Sequence, residues 1–197
     1  TENAEVGGVS TNATVNYTYT LTDAQNHTAP GNDDLLLDIP LSITDAGNET
    51  TQGTLQVQVV DDVPEVKADE GNVTEGDTLT VDANNGVLAN DNAGADGWHA
   101  NGAVVGVEAG STNTTHNGGV GGRIDGNYGY LVLNADGSYE YVSTADAIIA
   151  DAEDVFTYTV RDGDGDEVST TLTIKVSDVK GAAIGTTTKV AEAGLAG

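Results

Sequence analysis

The chain has 197 residues, with 32 acidic side chains against 6 basic ones, a formal net charge of −26, and neither cysteine nor methionine. That balance excludes nucleic acid as a partner, because phosphates would be repelled, and the missing cysteines exclude a disulfide-stapled fold. No apolar run approaches the roughly 18 residues a membrane span needs, so no membrane insertion is expected.

The first residues, TENAEVGG, show neither the basic region nor the apolar stretch of a signal peptide. Neither end resembles a natural terminus, so the chain is expected to be a monomeric fragment of something larger. A compact body carrying this much like charge repels itself. Either the fold tolerates the repulsion, as salt-adapted proteins do, or bound cations offset it. With one Trp and one Phe, the core must rest on Val, Leu, Ile and Tyr, and the many threonines beside them favour strands.

In chain order, VNYTYTL (15–21) alternates apolar and polar residues and predicts a strand. An intervening stretch holds Asp33, Asp34 and Asp38, which read as a solvated face. TLQVQVV (54–60) predicts a second strand. The joint VDDVPEVKADE (60–70) follows, where Pro64 cannot donate to a ladder and should end the strand. Asp61, Asp62, Asp69 and Glu70 flank that proline, and a cation among them would couple neighbouring sandwiches. Glu75 in VTEGD and Asp91 in LANDNAG are further candidate ligands that the fold could bring to an acidic turn. The Gly-rich segment 93–131 contains the only Trp, and Trp98 beside His99 is a candidate ligand-binding spot. YLVLN and SYEYV flank an Asp-Gly turn and predict a hairpin. TADAIIADAED (144–154) predicts a helical turn or two. VFTYTV and STTLTIKV complete a set of short alternating strands, so the chain reads as all-β, built of sandwiches.

Between the last two strands lies RDGDGDE. Its glycines let alternate carboxylates of Asp162, Asp164 and Asp166 converge, which suits calcium, a hard cation taking six to eight oxygen ligands. The spacing begins like an EF-hand loop and then departs from it, with Glu167 where glycine and Thr173 where glutamate would be required. Residues 44–64 lie on residues 161–181 without a gap, placing Asp45 on Asp162, Leu55 on Leu172 and Asp61 on Asp178, an internal repeat. YTYTLTD (17–23) resembles FTYTVRD (156–162) but stands further from its turn. The three histidines, His27, His99 and His116, are scattered, and no metalloprotease or nucleophile-elbow motif occurs, so the chain reads as non-enzymatic.

VLANDNAGADG, VVGVEAG, YGYLVLNADGSYEYV and DVFTYTVRDGDGDEVSTTLTIKVSD, in that order, resemble the VCBS-type, cadherin-like repeat of large bacterial RTX adhesins exported by type I secretion. The resemblance implies tandem Ig-like, cadherin-like β-sandwiches: a partial unit over 1–64, a complete one over 65–178, and over 179–197 the opening of a next repeat or a pairing strand. It implies Ca2+ at Asp162, Asp164, Asp166, Asp61 and Asp62, neighbouring repeats as partners, a secreted or cell-surface location, and a role in attachment and biofilm formation. In the first unit TDAGNE departs from the pattern. The alternative it leaves open is a module of the same kind of adhesin that binds a peptide C-terminus or a glycan on a host or microbial surface.

Overall fold

The computed structural model describes residues 16–179 except 24, 26, 28–33, 46 and 113. The expected opening of a next unit therefore lies almost wholly outside the described residues. The described residues form ten strands and no helix: β1 Leu35–Thr44, β2 Thr50–Val59, β3 Asp69–Thr74, β4 Thr78–Val81, β5 Val104–Ala109, β6 Arg123–Asp125, β7 Gly129–Leu133, β8 Tyr139–Ser143, β9 Ala152–Arg161 and β10 Glu167–Ser177.

Strands β3 to β10 make a sandwich of two four-stranded sheets, ordered β3-β10-β9-β5 and β4-β8-β7-β6. The first strand, β3, lies parallel to the last, β10, and the other pairs are antiparallel. Period-2 alternation turns Phe156, Tyr158 and Val160 of β9 and Leu172, Ile174 and Val176 of β10 onto Leu131, Leu133 and Tyr141 of the facing sheet, all buried. Each such aliphatic side chain contributes about 1.5–3 kcal/mol over its exposed state. Tyr141 meets Phe156 edge to face at 6.2 Å and donates its hydroxyl to buried Asp154 at 2.6 Å. The same carboxylate also accepts the backbone N–H groups of Asn127 and Tyr128.

The outer face of β9 is covered as well. Thr157 and Thr159 point away from the core yet are fully buried. Residues 110–112 and 114–118 fold over them, Thr112 and His116 donating backbone N–H to the two threonine oxygens at 2.9 Å each. Gly106 permits this, since a Cβ there would run into the His116 carbonyl.

β1 and β2 form a separate two-stranded hairpin. It repeats the β9–β10 hairpin position for position: both first strands are ten residues long, and Leu35↔Val59 through Thr44↔Thr50 is the register of Ala152↔Val176 through Arg161↔Glu167. The place equivalent to β9 is thus held by Leu35–Thr44. Residues 16–22 form no strand, and Tyr17, Tyr19 and Leu21 are exposed. The reason is proximity: β1 runs directly into the Asp45 turn, whereas 17–23 would have to close a much longer loop first. Pro40 disguised β1 in the sequence, and it is accommodated because no strand pairs with the outer edge of β1 among the described residues. The expected helical turn at 144–154 is also absent. Glu75 takes the Ile148 N–H at 3.0 Å, and Ala152 onward already belongs to β9.

Candidate metal centre

The turn between β9 and β10 is built by its first acid. Asp162 Oδ1 accepts the N–H groups of Gly165 at 3.0 Å and Asp166 at 2.7 Å, while the Asp162 N–H reaches the Asp166 carbonyl at 3.2 Å. Gly165 stands at φ +120°, where a side chain would be strained. With Oδ1 occupied by the turn, Oδ2 of Asp162 is left buried with no hydrogen-bond partner, on a residue only 1% exposed. Both carboxylate oxygens of Asp164 are likewise buried and unpartnered. One oxygen from each of Asp162, Asp164 and Asp166 lies within 4.8 Å of the others. Burial, and then the Asp164 carboxylate beside it, push Asp162 up to about 7. Such an arrangement is costly unless a cation or a proton enters it.

A second group forms where the joint meets the loop after Asp91. Asp61, Asp62 and Asp96 also bring one oxygen each within 4.8 Å. Asp62 Oδ2 accepts the Ala95 N–H at 2.7 Å. Gly94, at φ +83°, leaves room for that carboxylate, which a Cβ would strike. Asp61 is buried, and His27 Nδ1 lies 3.6 Å from its Oδ1. The loop is fixed at both ends. Glu65 and Asn92 exchange backbone hydrogen bonds at 2.9 Å, and His99 donates its N–H to the Arg161 carbonyl at 3.1 Å, with Trp98 bridging Asp162. Asp96 therefore sits between the groups. Its carboxyl is raised by desolvation and by the charges of Asp164, Asp62 and Asp166, against the opposing influence of His27.

The donors are carboxylate oxygens in both groups, a hard set suited to Ca2+ or Mg2+ rather than to zinc. The buried, unpartnered oxygens of Asp162 and Asp164 fit such an ion, and either group could hold one.

The structure brings together Asp162, Asp164 and Asp166, and separately Asp61 and Asp62; the remaining expected ligands fall elsewhere. Asp69 and Asp91 converge on the Tyr158 hydroxyl, at 2.7 and 3.3 Å, which also approaches the carbonyls of Val87 and Lys67 at 3.1 and 3.4 Å. Burial foremost, and then the neighbouring Asp91 charge, raise Asp69 to about 6, opposed by hydrogen bonds from Tyr158 and Asn90. Glu70 pairs with Lys175 at 2.7 Å. Glu75 accepts the Ile148 and Val179 N–H groups with its two oxygens, at the far end of β10, whose eleven residues span roughly 35 Å. Trp98 packs against the core. His99 lines a depression of about 740 Å³ with Val63, Arg161, Asp164 and Asp166, and its Nδ1 is buried without a partner.

Sequence reasoning missed Asp96, which looked like part of a glycine turn, and His27, whose nearness to Asp61 no local pattern announces. The first unit supplies a comparison. Asp45 Oδ1 accepts the Glu49 N–H at 2.8 Å, as Asp162 does that of Asp166, and Asn48 takes the left-handed conformation at φ 68°. Gly47 stands where Asp164 stands, so the turn forms but lacks the middle carboxylate.

No curated protein matches the chain. Residues 61–178, more than half of it, match the family described as bacterial cadherin-like domain. That span begins at the aspartate pair of the joint and ends just past β10, and so encloses both groups and the whole sandwich. The chain belongs to the bacterial cadherin-like domain family.

Proposed function

We propose that the chain is a calcium-stabilised structural and adhesive module of a bacterial surface adhesin of the VCBS/RTX kind, contributing to attachment and biofilm formation outside the cell. The family supports an adhesion-type module. The observation that carries the cation is the buried, unpartnered Oδ2 of Asp162 facing the unpartnered carboxylate of Asp164. Ca2+ there offsets charges that otherwise repel. Ca2+ at Asp61, Asp62 and Asp96 ties the joint to the sandwich and stiffens the passage between successive units. Asp69, Glu75 and Asp91, once candidate ligands, act in this reading as internal hydrogen-bonding groups. Among the described residues no helix is long and apolar enough to cross a membrane.

Thermal unfolding in chelator, then in a calcium series with magnesium as control, tests this. A melting temperature that climbs with calcium concentration supports it, as binding to the folded state requires. Identical melting in chelator and in calcium removes it.

A second reading is favoured by the depression holding His99 and Asp164: a calcium-floored site for a peptide C-terminus or glycan. Peptide and glycan arrays probed with and without calcium distinguish it, since a passive extender retains nothing in either condition.

A further inference from the structure

Glycine follows asparagine at three places in the chain: Asn85–Gly86, Asn101–Gly102 and Asn117–Gly118. All three asparagines are exposed. At each step the next peptide nitrogen can approach the side-chain amide carbon, because glycine has no Cβ to block it. What differs is how the fold holds that nitrogen. Gly118 donates its N–H to the Val105 carbonyl at 2.9 Å, and Gly102 donates to the His99 carbonyl at 3.0 Å. The Asn117 side chain is also held at both ends, Nδ2 donating to Glu167 and Oδ1 accepting from Arg161, at 3.1 Å each. Gly86 is buried, yet its N–H donates to no group among the described residues.

A buried N–H without an acceptor is costly, and ring closure removes it. The Gly86 nitrogen loses its proton to solvent and bonds to Asn85 Cγ. The bond from Cγ to Nδ2 breaks, and Nδ2 takes up a proton from solvent and departs as ammonia. Water then opens the ring at either of its carbonyls, leaving aspartate or isoaspartate. We infer that Asn85 is a site of spontaneous covalent modification, the first of the three Asn-Gly steps to close to a succinimide and open to isoaspartate or aspartate. Water is the only co-reactant, and the step is independent of whether the aspartate groups hold calcium.

The change bears on the core. Asn85 Nδ2 donates to Asp82 Oδ1 at 3.0 Å, so a carboxylate in its place faces another carboxylate. Isoaspartate also adds a carbon to the main chain beside Gly86, where there is no slack. A Cβ on Gly86 would strike the Gly137 carbonyl, and Val87 donates its N–H to that same carbonyl at 3.0 Å. Val87 is fully buried, and its own carbonyl lies 3.1 Å from the Tyr158 hydroxyl. A close-packed interior responds to a single added methylene. The modified chain therefore holds the loop 82–91, and Asp91 with it, less tightly.

The test follows the full chain in mildly alkaline buffer at physiological temperature over a time series. Lys67 and Arg123 bound one tryptic peptide that carries all three asparagines, so fragment-ion mass spectrometry compares them within a single molecule. Heavy-oxygen water marks each ring that has opened. Asn85 is expected to convert about fivefold faster than Asn101 or Asn117, the factor that one backbone hydrogen bond is worth. In urea, where those bonds are lost, the three rates should converge. Asn85→Gln, whose longer side chain must close a larger ring, should abolish the fast conversion. Calorimetry of aged samples should show a lowered Tm in the unaltered chain and no change in Asn85→Gln. Asn101 or Asn117 keeping pace with Asn85 in the folded chain, or all three staying intact there, overturns the assignment of the site. An equal fall of Tm in both aged chains overturns its effect on the core.

Discussion

Asp164→Asn is expected to reverse the sign of its effect when calcium is added. One oxygen from each of Asp162, Asp164 and Asp166 lies within 4.8 Å of the others. Two unit charges at that spacing repel by about 3.5 kcal/mol at an effective dielectric near 20. Asp164 takes part in two such pairs, which sets a Coulomb ceiling of about 7 kcal/mol. Proton uptake lowers the ceiling: without a cation Asp162 is pushed from 3.8 to about 7, and holding a proton on an ordinary aspartate at neutral pH costs about 4 kcal/mol. Relaxation of the turn and the unpaired buried amide of the asparagine reduce this further, to about 1–2 kcal/mol of stabilisation for the variant in chelator. For a domain of this size that is a rise in Tm of roughly 4–12 °C. In millimolar calcium the amide still offers an oxygen but no charge. A hundredfold loss of affinity at saturating calcium removes about 2.7 kcal/mol, which outweighs the gain seen in chelator and leaves the variant about 1 kcal/mol less stable than the unaltered chain. Differential scanning calorimetry of both proteins in both conditions reads the effect directly. A shift of the same sign in chelator and in calcium would refute the argument, because the carboxylate would then matter for the turn and not for a cation.

Asp162→Ala should destabilise even in chelator, by about 1–3 kcal/mol, because two backbone N–H groups lose their acceptor; denaturant melts of this variant beside Asp164→Asn separate turn-building from charge repulsion. Gly94→Ala should weaken calcium binding while leaving the core intact, since its Cβ displaces the Asp62 carboxylate; isothermal calorimetry would show the loss, and unchanged affinity would remove Asp62 from the ligand set. Asp69 supplies a pH dependence of its own. Its carboxyl is raised to about 6 in the fold, so the contribution of its neutral form is fully present below the ordinary carboxylate range and is lost as pH rises through about 6. Tyr158→Phe removes a hydrogen bond that favours the charged form, and should move this midpoint upward; carboxyl NMR titration of Asp69 checks both statements.

Much of the sandwich was legible because its strands are half-buried and alternate with period two, as in STTLTIKV and SYEYV. The acidic turn was legible because local spacing alone determines it: Asp162, Asp164 and Asp166 need only a glycine-rich backbone to meet. Other features were hidden in proportion to their separation along the chain. Asp96 joins Asp61 and Asp62 only because Asn92 bridges Glu65 and His99 reaches Arg161. The burial of Asp69 and Asp91 around Tyr158 depends on three strands and a loop packing together, and their carboxylates resembled ligands for the same reason that those of Asp162 and Asp164 do. β1 was obscured by Pro40 and by three consecutive leucines, which break the alternation, while the well-patterned YTYTLTD failed to form a strand. Pattern reports what a segment can do, and the turn at Asp45 decides which segment is near enough to do it.

The parallel placement of β3 against β10 determines how the sandwich responds to pulling. Tension enters at the joint before β3 and leaves after Ser177, so the two strands are drawn in opposite directions along their common axis. Asp69–Thr74 and Leu172–Ser177 are then loaded in shear, and their ladder must fail as a set instead of opening one bond at a time. Glu75, holding the Val179 N–H at 2.9 Å, locks the exit of that pair. A row of such units would bear a steady mechanical load through its first and last strands, leaving the other sheet as ballast that keeps them aligned.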